Sequence, residues 1–278
     1  MVKRILLPVD GSEYTNSVLK HGIDLARRFG ARVRLLSVVD VRIFEWVLSV
    51  GADGFVPVLP APGYQEESRK LLERKAQAVL DKCARALESE GISYEAETLG
   101  GSPVEIICER ANLVDLIIMG NRGEYARWAT TMLGATLEAV TRHVSKPIMI
   151  VQQRFRNVQK MLAAYDGSEH ANRALQLAGF FAEHLNAKIT VVHVSDDREL
   201  STRICAEGVH YLQAYRAEVD SAWLSGRPDA AVIDLAAKGK YDLIVMGAYG
   251  HSRIREAILG STTVQIMRKS PIPVLMVK

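Results

Sequence analysis

The 278-residue chain contains the same segment twice, and this repetition limits its folds more than any other feature. ILLPVDGSE (Ile5 to Glu13) returns as MLAAYDGSE (Met161 to Glu169), and RVRLLSVVD (Arg32 to Asp40) returns as KITVVHVSD (Lys188 to Asp196). VDLIIMGNRG answers to YDLIVMGAYG, and KPIMIV (Lys146 to Val151) to IPVLMV (Ile272 to Val277). Each copy must therefore form the same order of elements. Asp10 and Gly120 stand 110 positions apart, whereas Asp166 and Gly247 stand 81 apart. Much of the surplus is expected just after the second strand, as an insertion at about 41–65.

Within a copy, short Val/Ile/Leu runs alternate with helical patterns. The first copy predicts strands at roughly 3–9, 32–39, 93–98, 114–119 and 147–152. ESRKLLERKAQAVLDKCARALESEG carries apolar residues at helical spacing, and Gly91 supplies a stop. SPVEIICERA opens with an N-cap serine, proline at the first helical position and glutamate at the third. The second copy repeats this order with a shorter second helix. Continuously apolar strands are buried on both faces, so the sheet should be parallel and covered by helices. Right-handed crossovers then give a doubly wound α/β fold. Two domains are expected, at 1–153 and 159–278, with Gln153–Val158 as linker. That linker is too short for free tumbling, so the halves should pack as a pseudo-twofold pair.

Composition excludes several classes. Apolar residues are 48%, charged residues 24% and the formal charge only +3, without a long Lys/Arg run, which argues against nucleic-acid or membrane-surface binding. No apolar stretch approaches the roughly 18 residues of a membrane span. The amino terminus runs straight into a strand without a signal-type apolar region, so a cytoplasmic location is expected. Cys83, Cys108 and Cys205 show no CxxC spacing and read as buried or half-buried thiols of a reducing compartment.

Ligands of open parallel sheets sit at the carboxyl ends of the strands, where the strand order reverses. Two features end strands here: Asp-Gly-Ser after the first strand and Gly-x-x-Gly after the fourth. A glycine turn lets backbone N–H groups approach a ligand, and a following helix start adds unpaired N–H donors and about half a positive charge. The same glycines could merely turn the chain, and Asp10 and Asp166 could merely cap the next helix. These readings are compatible with a site. The recurrence of Gly-x-x-Gly, with a further Gly-Ser-Thr at Gly260–Thr262, favours a phosphate cradle.

On these residues the chain resembles a tandem universal stress protein over nearly its whole length. Nucleotide-binding members of that family are similar in having an Asp after strand one and a G-x2-G-x9-G-(S/T) motif after strand four. Gly247, Gly250, Gly260 and Ser261 match that spacing without a gap. The resemblance implies five strands per domain in the order 3-2-1-4-5, and ATP, with or without Mg2+, as ligand. It also implies that Asp166 meets the adenosine part and that the Val194 backbone reads the adenine edge. Gly247, Gly250, Gly260, Ser261 and Thr262 would surround the phosphates. In the first copy Asp10, Val38, Gly120, Gly123 and Gly134 correspond. There, ten residues rather than nine separate Gly123 from Gly134, and Ala135 replaces the hydroxyl residue. Losing that donor costs on the order of 1 kcal/mol, and an extra residue, if it extended the helix, would shift its end by about 1.5 Å. The first site is therefore expected to be weaker, altered or empty.

Other chemistries find little support. There is no G-x4-GK-[ST] run, kinase motif set, HExxH or Cys/His cluster, so no catalytic or metal-ligating set is assigned. Ser12 and Ser168 have no identifiable base, and His251 and Arg253 read equally as phosphate contacts or as a solvated loop. The apolar insertion would pack over its own domain, or else serve as a lid or an oligomer contact. The leading expectation is an ATP-binding stress or signalling regulator with its main site in the second domain, acting on an unidentified protein partner. A slow ATPase and a nucleotide-independent scaffold are the alternatives, and a homo-oligomer is left open.

Overall fold

Ten strands and eight helices alternate along the computed structural model, which describes residues 2–40, 64–124, 133–249 and 259–278. The first copy runs β1 (Arg4–Pro8), α1 (Thr15–Phe29), β2 (Arg32–Asp40), α2 (Tyr64–Ser89), β3 (Tyr94–Gly101), α3 (Pro103–Ala111), β4 (Leu116–Gly120), α4 (Ala135–His143) and β5 (Ile148–Val151). The second runs β6 (Lys160–Ala164), α5 (Glu169–Leu185), β7 (Lys188–Val194), α6 (Arg198–Leu212), β8 (Val219–Leu224), α7 (Pro228–Lys238), β9 (Leu243–Gly247), α8 (Ser261–Lys269) and β10 (Val274–Val277). As expected, the second helix is longer in the first copy, at 26 residues against 15. The insertion expected at 41–65 lies outside the described residues, apart from its last two, which open α2.

The strands form one sheet in the order β3-β2-β1-β4-β5-β10-β9-β6-β7-β8. Each copy contributes the expected 3-2-1-4-5 arrangement with every neighbour parallel. The copies meet through β5 and β10, which run antiparallel with Met149 opposite Leu275. Each of these strands would otherwise be an edge with unpaired N–H and C=O groups. Pairing them makes the pseudo-twofold a continuous sheet.

Side-chain alternation explains why both faces are dry. Ile5 and Leu7 enter one core cluster while Leu6 enters another, and Leu116 and Ile118 alternate in the same way with Ile117 and Met119. The first cluster spans both copies beneath α1, α2 and α5. In it Phe29 of α1 packs at 5.0 Å from both Phe180 and Phe181 of α5. On the other face, one cluster joins α3 and α4 to the seam, and a third lies under α7.

Local signals recur at matched positions. α1 stops at Gly30 (φ 61°) and α5 at Asn186 (φ 51°), the two residue types that enter the left-handed region at least cost. Asp115 accepts hydrogen bonds from the Lys3 and Arg4 N–H groups at 2.8 and 2.9 Å, and Asp242 accepts from Gln159 and Lys160 at 3.1 and 3.0 Å. These aspartates tie the start of the fourth strand to that of the first in each copy. Ser102 does occupy the N-cap of α3, with Pro103 and Glu105 behind it, but its hydroxyl makes no capping bond. Among the described residues no helix is long and apolar enough to cross a membrane.

Candidate functional site

Because β1 and β4 are adjacent while their chains leave in opposite directions, a crevice opens between their carboxyl ends. In the first copy it is a cavity of about 500 Å³, within the usual range for small-molecule sites. Asp10, Val38, Gly120, Gly123 and Gly134 all line it, so all five residues expected in the first copy come together. Leu36, Ser37 and Val39 add the β2 wall, and Gly134–Leu137 bring the start of α4.

Backbone parity gives Val38 its character. In a parallel ladder both polar groups of a residue point to the same side, and that side alternates along the strand. The Leu36 C=O bonds the Val9 N–H at 2.8 Å, so Leu36 faces β1. Val38, two residues on, faces the same way, past the point where β1 has ended. The second copy repeats this: Val192 C=O accepts from Tyr165 N–H, whereas Ser195 N–H turns outward to Leu224 C=O. Val194 therefore presents its N–H and C=O beyond the end of β6. A donor and an acceptor side by side, directed past the end of the first strand, match a planar heterocycle edge.

The aspartates are not helix caps. Asp10 Oδ1 accepts from Ser12 N–H at 3.0 Å, and Asp166 Oδ1 from Ser168 N–H at 3.0 Å, which closes a side-chain turn after each first strand. In the second copy Ser168 is the cap of α5, accepting from Ala171 N–H at 3.3 Å. α1 begins two residues later than α5 in the repeat and has no side-chain cap, because Tyr14 stands at its N-cap. The other Asp10 oxygen, Oδ2, accepts from Glu124 N–H at 2.9 Å and so binds the first-strand turn to the glycine turn. In the second copy Ser168 Oγ reaches the Tyr249 C=O at 3.4 Å and links the same two turns.

The glycines divide by role. A Cβ on Gly120 would lie 2.5 Å from Tyr14 Cβ, and one on Gly247 would lie 2.8 Å from the Ala171 nitrogen. These two let the helix that follows the first strand, α1 or α5, pack against the end of the fourth strand. A Cβ on Gly123 would instead strike Asp10 Oδ2 at 2.8 Å, so this glycine permits the carboxylate to seat on the turn. Gly134 and Gly260 close their loops alike: Gly134 N–H donates to Asn121 C=O at 3.1 Å, and Gly260 N–H to Ala248 C=O at 3.3 Å. α4 then begins at Ala135 and α8 at Ser261, each nine residues long. The extra residue of the first copy therefore does not lengthen its helix. The cost of a displaced helix end falls away, and the lost hydroxyl remains. Neither glycine offers a capping side chain, and no described side chain caps either helix, whose first-turn N–H groups face the end of the strand turn.

In α8, Ser261 is exposed, Thr262 half-buried and Thr263 buried. Thr263 Oγ1 donates to Ala248 C=O at 3.0 Å and fastens the helix to the strand end, a role that the spacing of the motif did not suggest. Its counterpart in the first copy is Leu137, buried in the seam cluster. Gly250, His251 and Arg253 lie outside the described residues. Ser12 and Ser168 spend their side chains on these turns. All three cysteines are free, and burial pushes each thiol above its ordinary value, which keeps them protonated. The first cavity also holds residues that no motif announced: Tyr14, Thr15, Lys75, Arg122 and Glu124.

The molecule is thus a doubly wound α/β tandem in which each copy brings an Asp-Gly-Ser turn against a glycine-containing turn at adjacent strand ends. The universal stress protein family model matches the chain twice, over residues 1–152 and 157–278, and the chain belongs to that family. It is 33% identical over 290 residues to Universal stress protein Slr1230 of Synechocystis, covering 99% of both chains. It is also 33% identical to Universal stress protein MJ0531 of Methanocaldococcus jannaschii, over 55% of this chain and 84% of that one. The crystal structure of a universal stress protein from Archaeoglobus fulgidus superposes with a TM-score of 0.78 at 26% identity, covering 99% of this chain and 98% of that one.

Proposed function

We propose that this chain is an ATP-binding regulator whose main nucleotide site lies in the second copy, and that it divides into working units at 1–153 and 159–278. The observation that carries nucleotide binding is the convergence of three donor and acceptor sets at one strand-end crevice. These are the outward Val38 backbone, the Asp10 carboxylate, and the uncapped helix start behind Gly134. Adenine edge, ribose and phosphate call for these groups in that order. The second copy presents Val194, Asp166 and the helix start behind Gly260 with Thr262, as the first has Thr136, and adds the Ser261 hydroxyl to an unbroken motif. That extra donor supports the stronger affinity there. Mg2+ would enter with the nucleotide, bound to its phosphates.

ATP would act by changing conformation or partner choice, which requires different affinities for the two states rather than tight binding alone. The partner is a protein, and the setting is cytoplasmic. Hydrolysis is the second reading, with no general base assigned to it.

Thermal unfolding with added ATP tests binding: at about 100 times Kd, one site stabilises the fold by roughly 2.7 kcal/mol. A chain purified gently, free of nucleotide by mass spectrometry and unmoved by ATP would be a scaffold instead. Single-turnover assays separate regulator from enzyme, since phosphate release abolished by Gly260→Val would favour the ATPase.

A further inference from the structure

Lys75 is carried by α2, outside every motif that marks the crevice, yet it lines the first cavity beside Leu72 and Ala76. Its ammonium is paired with the Glu124 carboxylate. Glu124 follows Gly123 directly, and its N–H is the one that Asp10 Oδ2 accepts. The pair thus runs from α2 to the glycine turn, and the cavity it lines is also lined by the start of α4. Both side chains are about half exposed, 48% for Lys75 and 45% for Glu124. An ion pair this wet is weak and exchanges partners readily.

A carboxylate beside a phosphate cradle repels the anion that the cradle would hold, whereas an ammonium there attracts it. The two halves of this pair therefore have opposite consequences for an anionic ligand. A polyphosphate carries more charge than Glu124 and can take Lys75 from it. The first copy also lacks the hydroxyl that Ser261 supplies in the second, so a cation from outside the motif has a donor to replace.

We propose that Lys75 is a polyphosphate-binding residue of the first copy, and that Glu124 is its resident competitor, together making this copy selective for nucleotides with several phosphates. The inference rests on the nucleotide reading above and adds to it a residue and a discrimination. A nucleoside meets Asp10 and Val38 without reaching the pair. A nucleoside polyphosphate must displace Glu124 from Lys75.

Isothermal titration of the full chain with ATP and with adenosine tests this, using Lys75→Gln and Glu124→Gln in the parent and in a Gly123→Val background. Lys75→Gln should weaken ATP at the first-copy site by about fivefold to tenfold, and Glu124→Gln should tighten it about threefold, by analogy with charge-assisted pairs. Adenosine affinity should change by less than about twofold in both, a contrast with the weight of charge-assisted contacts. In the Gly123→Val background both effects on ATP should vanish. If both substitutions weaken ATP, the pair is merely a structural brace and the proposal falls. It falls equally if neither moves ATP, or if adenosine shifts as much as ATP. A parent chain that binds no ATP overturns the nucleotide reading itself, and the role of the pair with it.

Discussion

Asp10 Oδ2 accepts a hydrogen bond from the Glu124 N–H at 2.9 Å, joining residues 114 positions apart. The bond exists because Gly123 has no Cβ, and it holds the first-strand turn against the fourth-strand turn. The crevice between them is therefore shaped by a carboxylate that lines it and is held by both turns.

Gly123→Val places carbon where that carboxylate sits, only 2.8 Å away, and should abolish nucleotide binding in the first copy. Gly250→Val should remove the stronger component in the second. Titration with a nucleotide analogue distinguishes the two, and loss of all binding in the Gly123 variant alone would reverse the assignment of the main site.

The hydroxyl difference between the copies can be exchanged. Ser261→Ala should weaken the second site by about 1 kcal/mol, several-fold in Kd. Ala135→Ser should strengthen the first by a similar factor, because α4 and α8 start in register with their closing glycines. No change in the measured Kd on either substitution would detach these positions from the ligand.

His21 makes stability depend on pH. It is 2% exposed, its Nδ1 lies 2.8 Å from Ser17 C=O, and its Nε2 accepts from Arg156 N–H at 3.3 Å. The ring packs 4.8 Å from Phe155, so the histidine fixes the segment between the copies onto α1. Burial lowers its pKa below the ordinary 6.5, against the opposing pull of Ser17 C=O and Asp24. The unfolded chain then binds the proton more readily than the folded one. His21 contributes its full stability above about 6.5, the unfolded value, and loses it as pH falls towards the lowered folded value. Urea unfolding at pH 7.5 and pH 5 should show this loss, and His21→Gln should flatten it. An equal slope in the variant would assign the pH effect to other groups.

The seam should fail as a unit. Met149 and Leu275 are both fully buried and face each other across the only antiparallel junction among the described strands. Met149→Ala should cost about 2–5 kcal/mol, and the two copies should melt together because one core cluster runs through both. Two separate calorimetric transitions in the parent chain would show that the seam does not couple the halves.

Much of this architecture is legible in the sequence because its causes are local or repeated. Alternation at Ile5, Leu6 and Leu7 reports a strand buried on both faces, and Gly30 and Asn186 stop equivalent helices by backbone conformation alone. Asp10, Val38, Gly120, Gly123 and Gly134 can be grouped through the resemblance to the universal stress protein motif, and the fold brings all five to one cavity. The helix caps are less legible. Asp10 and Asp166 carry the right chemistry for capping, but a left-handed glycine follows each, Gly11 at φ 78° and Gly167 at φ 80°, and bends the carboxylate into its own turn.

Two copies of one α/β unit, and the positions near which their strands end, can be read from the residues alone, since periodicity and repetition act over neighbouring residues. That Lys75 meets Glu124, that His21 is buried against Phe155, and that β5 and β10 join in opposite directions emerges only from the folded chain. These meetings depend on where crossovers return the chain in space, and side chains brought together by packing leave no mark in the spacing of either partner.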